Sequence, residues 1–328
     1  MQSLSRPSPN DAPRLWLAPL RGLTDAEYRS VYARHFRGID LAIAPFITTH
    51  GGQRVKTSHV RDLLPVNNRN LPVVPQILSK NPDDFVRLAN HLFDFGYACV
   101  NLNLGCPFPQ VANKGRGSGM LPFPERVDGF LAATIPRLAG RLSIKTRLGR
   151  YSHSEIQTLI PVFNRYPLRE IIIHPRTGIQ MYSGQPDQEA FAACIHALDH
   201  PVIYNGDITR LSDLKHLTAR FPTAAGWMIG RGVLSNPFLP GILKTRRDAT
   251  ENKITRFYRF HDDLLESYTY RLRGPGHLLN RMKGFWKYFA KGFQGSAREH
   301  KQILKSRSLP QYRAAVHAFF TSGHEWIG

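Results

Sequence analysis

The sequence predicts a (β/α)8 TIM barrel followed by a small C-terminal all-α helical bundle, and three observations carry that expectation. Eight short β-branched or apolar runs recur with room for a helix between successive ones. The unusual polar and charged residues fall at or just beyond the C-terminal ends of those runs. Past residue 243 the strand-like runs stop, and helical periodicity dense in Lys and Arg takes over.

Taken in order, the runs are residues 14–19, 41–46, 73–78, 99–104, 142–148, 170–176, 201–207 and 225–231. A helix is expected over residues 83–95, with Phe85, Leu88, Ala89 and Leu92 on one face. Asn81-Pro82-Asp83-Asp84 opens it with a capping residue, a first-turn proline and acidic groups at the positive dipole end. An open Rossmann sheet would want G-x-G-x-x-G after the first strand, where this chain has Ala18-Pro19-Leu20-Arg21-Gly22. The expected organisation is a polar N-terminal arm over residues 1–13, a barrel over 14–243 and a basic helical domain over 244–328. In the last of these, Met282, Phe285, Trp286, Phe289 and Phe293 form an apolar stripe, and Lys283, Lys287 and Lys291 form a cationic one.

The formal net charge is +20, and residues 244–328 hold 17 Lys+Arg against 7 Asp+Glu. About a quarter of the chain thus carries half of the excess, which points to a polyanionic partner. No apolar run of 18 residues argues for a membrane span, and the polar N-terminus lacks the apolar core of an export signal. A cytoplasmic protein with reduced thiols is expected. The three cysteines, Cys99, Cys106 and Cys194, match neither a zinc site nor a disulfide framework.

A lone cysteine is ordinarily a small buried hydrophobe, which suits Cys99 and Cys194. Cys106 differs, because Gly105 permits an unusual turn and Pro107 stops the strand, which puts the thiol at the expected barrel mouth. Its unperturbed pKa of about 8.5 leaves it protonated at neutral pH, so it can donate a proton. Lys145 and Arg147, two apart on a strand, share an inward face, and His174 and Arg176 repeat the geometry. Cations on such a face need an anionic or electron-rich partner. Asn205-Gly206-Asp207 and Gly230-Arg231-Gly232 follow the seventh and eighth runs, where barrels commonly hold phosphate, and imply a phosphorylated cofactor. Residues 111–121, with three glycines and two cations, are read as a mobile basic lid or a plain surface loop.

Several of these pieces stand together in one order: Leu17-Ala18-Pro19-Leu20-Arg21-Gly22-Leu23-Thr24-Asp25, Gln76, Leu102 to Pro107, Lys145 to Gly149, His174 to Thr177, Tyr182-Ser183-Gly184, Asn205 to Ile208 and Gly230-Arg231-Gly232. In that order the chain resembles the tRNA-dihydrouridine synthases almost end to end. The resemblance implies an FMN-binding barrel and a helical domain that binds tRNA, with NADPH as electron donor. It implies that Pro19, Gln76, Lys145, His174, Asn205, Gly206, Asp207, Gly230 and Arg231 surround FMN. It also implies that Asn103, Lys145, Arg147 and Tyr182 hold a flipped uracil, with Arg176 near it. Hydride would reach uracil C6 from the flavin while Cys106 protonates C5. Departures at Leu20-Arg21, Pro175 and Phe108-Pro109-Gln110 leave the subfamily and the uridine open.

Two other readings compete. An FMN barrel dehydrogenase acting on a small pyrimidine has little reason to carry so basic an appendage. An RNA-binding module with a remnant flavin has little reason to keep Cys106, Lys145, Arg147 and His174 together. The substrate RNA, tRNA or rRNA, stays open at this point.

Overall fold

The computed structural model describes residues 12–51, 55–248 and 250–328. The arm expected over residues 1–13 lies, but for its last two residues, outside the described residues.

Ten short strands form one all-parallel sheet. They are β1 (Leu15–Leu17), β2 (Leu41–Ile43), β3 (Ile47–Thr48), β4 (Val73–Val74), β5 (Gln76–Leu78), β6 (Cys99–Leu104), β7 (Arg141–Gly149), β8 (Ile171–Thr177), β9 (Val202–Asn205) and β10 (Gly226–Ile229). The count exceeds eight because two of the expected strands are each broken by a proline, which cannot donate to a ladder. Pro75 separates β4 from β5, and Pro45 lies between β2 and β3, so the second strand resumes past its expected end at Phe46. The breaks close the barrel: β2 pairs with β4, β3 pairs with β5, and β1 pairs with both β10 and β2. The Pro75 carbonyl still accepts the Asn101 N–H at 2.8 Å.

Strand alternation sorts the core into two layers. Trp16, Ile43, Ile172, Ile203 and Met228 fill the barrel interior, whereas Leu15, Leu17, Ile171 and Ile173 pack outward against the helices. The helix Pro82–Asp94 shows how the outer layer is built. Asn81 caps it by accepting the Asp84 N–H, and Phe85, Leu88, Ala89 and Leu92 are buried as their spacing requires.

The expected border at residue 243/244 falls inside the helix Leu239–Thr245. Beyond it come the helices Lys253–Arg271, Pro275–Phe289, Ala297–Lys305 and Leu309–Thr321. They are joined by a short antiparallel ladder, Phe293–Gln294 against Glu325–Trp326, that periodicity alone did not disclose. All five residues of the apolar stripe are buried. Lys287 and Lys291 are exposed, while Lys283 is half-buried and donates to the Ser306 carbonyl. The bundle packs on the barrel through the helix Ala26–His35. Tyr28 stacks on Phe285 with ring centroids 5.6 Å apart, and Asp25 accepts hydrogen bonds from Tyr268 Oη and from Arg281 Nη1. Among the described residues no helix is long and apolar enough to cross a membrane.

Candidate active site

Alternation also decides which side chains reach the mouth. On β6, Val100, Leu102 and Leu104 pack outward, so Asn101 and Asn103 face in. On β7, Leu142, Ile144 and Leu148 pack outward, so Ser143, Lys145 and Arg147 face in, and on β8 the inward pair is Ile172 and His174. Twelve of the fourteen residues singled out from the sequence line one cavity of about 360 Å³ at the C-terminal ends of the strands. They are Pro19, Asn103, Cys106, Lys145, Arg147, His174, Tyr182, Asn205, Gly206, Asp207, Gly230 and Arg231.

Gln76 and Arg176 do not line it. Gln76 is fully buried, donating from Nε2 to Asn101 Oδ1 and accepting from Asn103 Nδ2, each at 2.8 Å. This amide ladder continues to Ser143 Oγ and sits beneath the cavity floor. Arg176 is displaced by an irregularity in register. Between the pairs Arg147↔His174 and Gly149↔Thr177, β8 spends three residues where β7 spends two. Past that bulge Arg176 stays beside His174 but behind the cavity lining. Arg176 is instead 1% exposed and donates to the Ser183 and Gly184 carbonyls, to His174 Nε2 and to Asp207.

The Cys106 thiol is held by its own turn. Asn103 Oδ1 accepts the N–H groups of Gly105 at 3.1 Å and Cys106 at 2.9 Å. The Cys106 carbonyl accepts both the N–H and the hydroxyl of Ser118. The second half of the segment read as a lid or a surface loop is packed: Gly117 to Leu121 are buried, with Ser118 bracing the cysteine from behind, while Asn113 and Lys114 are exposed. Burial pushes the Cys106 thiol up, against the opposing pull of the Phe108 N–H and of Arg147, Arg21 and Lys145. It is protonated at neutral pH.

Around the thiol stand cations whose charge is costly. Burial first, and the Arg147 charge second, push the Lys145 ammonium down to about 7. Burial brings Arg147 down to about 10. Its Nε donates to the Gly105 carbonyl, its Nη1 to the Thr177 carbonyl, and its guanidinium lies 5.5 Å from the Tyr182 ring centroid. Burial and then the neighbouring Arg and Lys charges hold His174 well below the usual imidazole range. Arg176 Nη1 can only donate, so His174 Nε2 accepts and the ring proton sits on Nδ1. His174 is thus a neutral imidazole whose donor is Nδ1.

Residues 16–319 match the family model described as dihydrouridine synthase (Dus). The chain belongs to the dihydrouridine synthase family. It is accordingly an oxidoreductase. A probable tRNA-dihydrouridine synthase from Staphylococcus epidermidis is 28% identical over 311 residues, which cover 92% of each chain. The probable tRNA-dihydrouridine synthase 2 of Bacillus subtilis is 27% identical over 314 residues, covering 92% of this chain and 93% of its own. Among solved structures, an old yellow enzyme homologue from Zymomonas mobilis superposes with a TM-score of 0.53 at 13% identity, over 74% of this chain and 92% of that one. A variant of NCR from the same organism gives 0.51 at 15% identity, over 74% and 90%. At that identity the likeness is one of fold.

In this dihydrouridine synthase the mouth also holds residues that sequence reasoning passed over. Arg21 sits over the Phe46 ring at 5.5 Å, and both line the cavity. Tyr288 reaches the same cavity from the bundle helix Pro275–Phe289. It lies between Lys287 and Phe289, in neither stripe, and only the docking of helix on barrel brings it there. Asp207 has φ +37°, a left-handed conformation unusual for aspartate, and its carboxylate bridges Arg176 and Arg231.

Proposed function

We propose that this chain reduces the C5=C6 bond of a specific uridine in tRNA to 5,6-dihydrouridine, using FMN and NADPH, and that it works in the cytoplasm. The observation that carries the reading is the protonated Cys106 thiol set in a cavity with Lys145, Arg147, His174 and Tyr182. Family membership and the names of the Staphylococcus and Bacillus relatives support the substrate.

The residues at the mouth suit a flavin. Lys145 and the His174 Nδ1 proton have no hydrogen-bond partner among the described residues, so both donors are free for a ligand. Gly206 and Gly230 leave room that a Cβ would take, at 3.2 Å from Tyr204 Oη and 3.3 Å from Ala18 Cβ. Asp207 between two arginines leaves a net positive charge beside them, as a phosphate requires. Pro19, Lys145, His174, Asn205, Gly206, Gly230 and Arg231 would hold FMN, with Asp207 steering Arg231 and Gln76 underpinning the floor. Asn103, Lys145, Arg147 and Tyr182 would hold the uracil, and Arg176 acts through His174 and Asp207.

A reduced flavin held by these residues would supply the hydride for uracil C6. The chain's own part is the proton. Cys106 Sγ–H gives its hydrogen to C5, so one hydride and one proton saturate the double bond and a thiolate remains. Arg147 and Lys145 stabilise that thiolate, and they face the negative charge that builds on the uracil carbonyl as the hydride arrives. Tyr182, held by the arginines over its face, offers a surface for a base taken out of its stack.

The deciding experiment gives the purified, flavin-loaded protein NADPH together with tRNA that lacks dihydrouridine. Formation of dihydrouridine in the tRNA is expected. Reduction of free pyrimidines alone, or of ribosomal RNA alone, overturns the assignment.

A further inference from the structure

We propose that the crevice beside the post-cysteine loop, lined by Lys80, Lys114 and Arg126, seats a backbone phosphate of the RNA substrate. The inference rests on the RNA reading above and adds to it a second anchor, on the barrel wall.

Three cations converge there on one crevice. All three are exposed, and none has an ion pair or side-chain hydrogen bond among the described residues, although the Arg126 guanidinium lies over the Phe123 ring at 4.2 Å. Acidic groups on the adjoining helix are already taken: Asp83 pairs with Arg137 at 2.7 Å, and Asp84 pairs with Arg87. Glu125, next to Arg126 in sequence, makes no ion pair with it. Uncompensated like charges repel one another, so their convergence favours an anion between them. A phosphate meets that need, and a polyphosphate chain is the partner the net charge of +20 already favours.

The walls of the crevice are braced by neighbouring groups. Arg150 Nη2 donates to Asn113 Oδ1 at 2.7 Å, which turns the Asn113 amide so that its Nδ2 remains a free donor. Gly119 packs so tightly that a Cβ there would sit 2.1 Å from the Ala112 carbonyl oxygen. Gly115, at φ +66°, makes the turn that presents Lys114. A site on fixed backbone places an anion more accurately than one on a loose loop.

Position gives the crevice its purpose. The bundle packs beside the helix that follows β1, whereas Lys80 follows β5 and Lys114 follows β6, further round the ring of strands. An RNA strand held by both has to cross the mouth between them. Lys114 and Cys106 also share one loop, closed by the two hydrogen bonds from Ser118 to the Cys106 carbonyl. A phosphate seated at Lys114 is therefore registered against the thiol itself.

The test uses the flavin-loaded protein carrying K80A, K114A and R126A together, with dihydrouridine-free tRNA over a range of NaCl concentrations. Each phosphate contact contributes about 0.7–0.9 to the slope of log affinity against log salt. The triple variant is expected to lose about 0.7–0.9 from that slope, the share of one phosphate, to bind about tenfold more weakly near 0.1 M salt, and to keep its flavin absorbance. Lys215→Ala, an exposed cation on the helix Leu211–Arg220, serves as the control and should leave the slope alone. Should the triple variant lose its flavin, Lys114→Ala decides, with an expected loss of about 0.7–0.9. An unchanged slope and affinity overturns the proposal while leaving the enzyme's activity standing. Failure of the unmutated protein to bind RNA overturns the proposed function itself.

Discussion

Gly117 stands directly behind Cys106: a Cβ on Gly117 would lie 2.8 Å from the cysteine's carbonyl oxygen and 2.9 Å from its Cβ. Gly117 also has φ +58°, where L side chains are strained. Gly117→Ala should therefore cost about 1–3 kcal/mol of stability and displace the thiol. Thermal unfolding and tRNA turnover measure the two effects, and turnover should fall further than the loss of folded protein explains. Wild-type turnover in the folded variant would mean that the thiol's placement does not matter.

Cys106→Ala should lower turnover by about 10²- to 10⁴-fold, the usual worth of a positioned proton donor. Flavin content and tRNA affinity should stay close to wild type. Cys106→Ser restores an O–H but with a far higher pKa, so it should rescue only a small part. Single-turnover reduction of tRNA is the measurement, because it isolates the step in which the proton moves.

Lys145 sets the pH dependence. Its ammonium is pushed down to about 7, so it discharges as the pH rises through neutrality. The Cys106 thiol is pushed up and keeps its proton through the same window. Turnover should accordingly fall on the alkaline side of about pH 7 although the acid is still loaded. Lys145→Arg keeps its charge, so its profile should stay flat to higher pH at a lower plateau. A falling limb that stays in place in that variant assigns it to some other group.

At the other end of the barrel, burial raises the Glu170 carboxyl to about 7 against the opposing charge of Arg169, 3.1 Å away. A folded pKa raised above the unfolded value gives stability that is complete below about pH 4.5 and is lost as the pH rises through 7. Wild-type stability should thus drop between pH 5 and 8 by roughly 3 kcal/mol more than that of Glu170→Gln. Urea titrations at the two pH values read the difference. Parallel pH dependence in the two proteins would show that Glu170 is already charged when folded.

The strand ends were legible because a strand buried on both faces reads as a continuous β-branched run, so Ile171, Ile172 and Ile173 mark the strand and His174 marks its end. Arg176 keeps its place beside His174 but not at the cavity wall, since a bulge is a property of two strands in register and one strand's sequence does not show it. Gln76 was read as lining the site because its strand was right, but its depth depends on the amides of Asn101 and Asn103 beside it. The packing within the segment 111–121 was hidden for a simpler reason. Its glycines are there for close backbone approach at Gly117 and Gly119, and glycine for closeness looks the same in sequence as glycine for looseness. Tyr288 could not be found at all without the docking of the bundle, whose partners lie some 260 residues earlier in the chain at Gly22 and Asp25.

That docking has a consequence for how such a protein changes its target. Tyr28, Phe260 and Phe285 belong to one continuous core, so barrel and bundle are welded where a flexible pair would be tethered. A weld cannot swivel to offer the mouth a different nucleotide. Under the proposed function the RNA would do the turning, over an anvil of fixed shape. A new target position would, under the same proposal, be reached by redrawing exposed charges such as Lys287 and Lys291, with Cys106 and its neighbours left untouched.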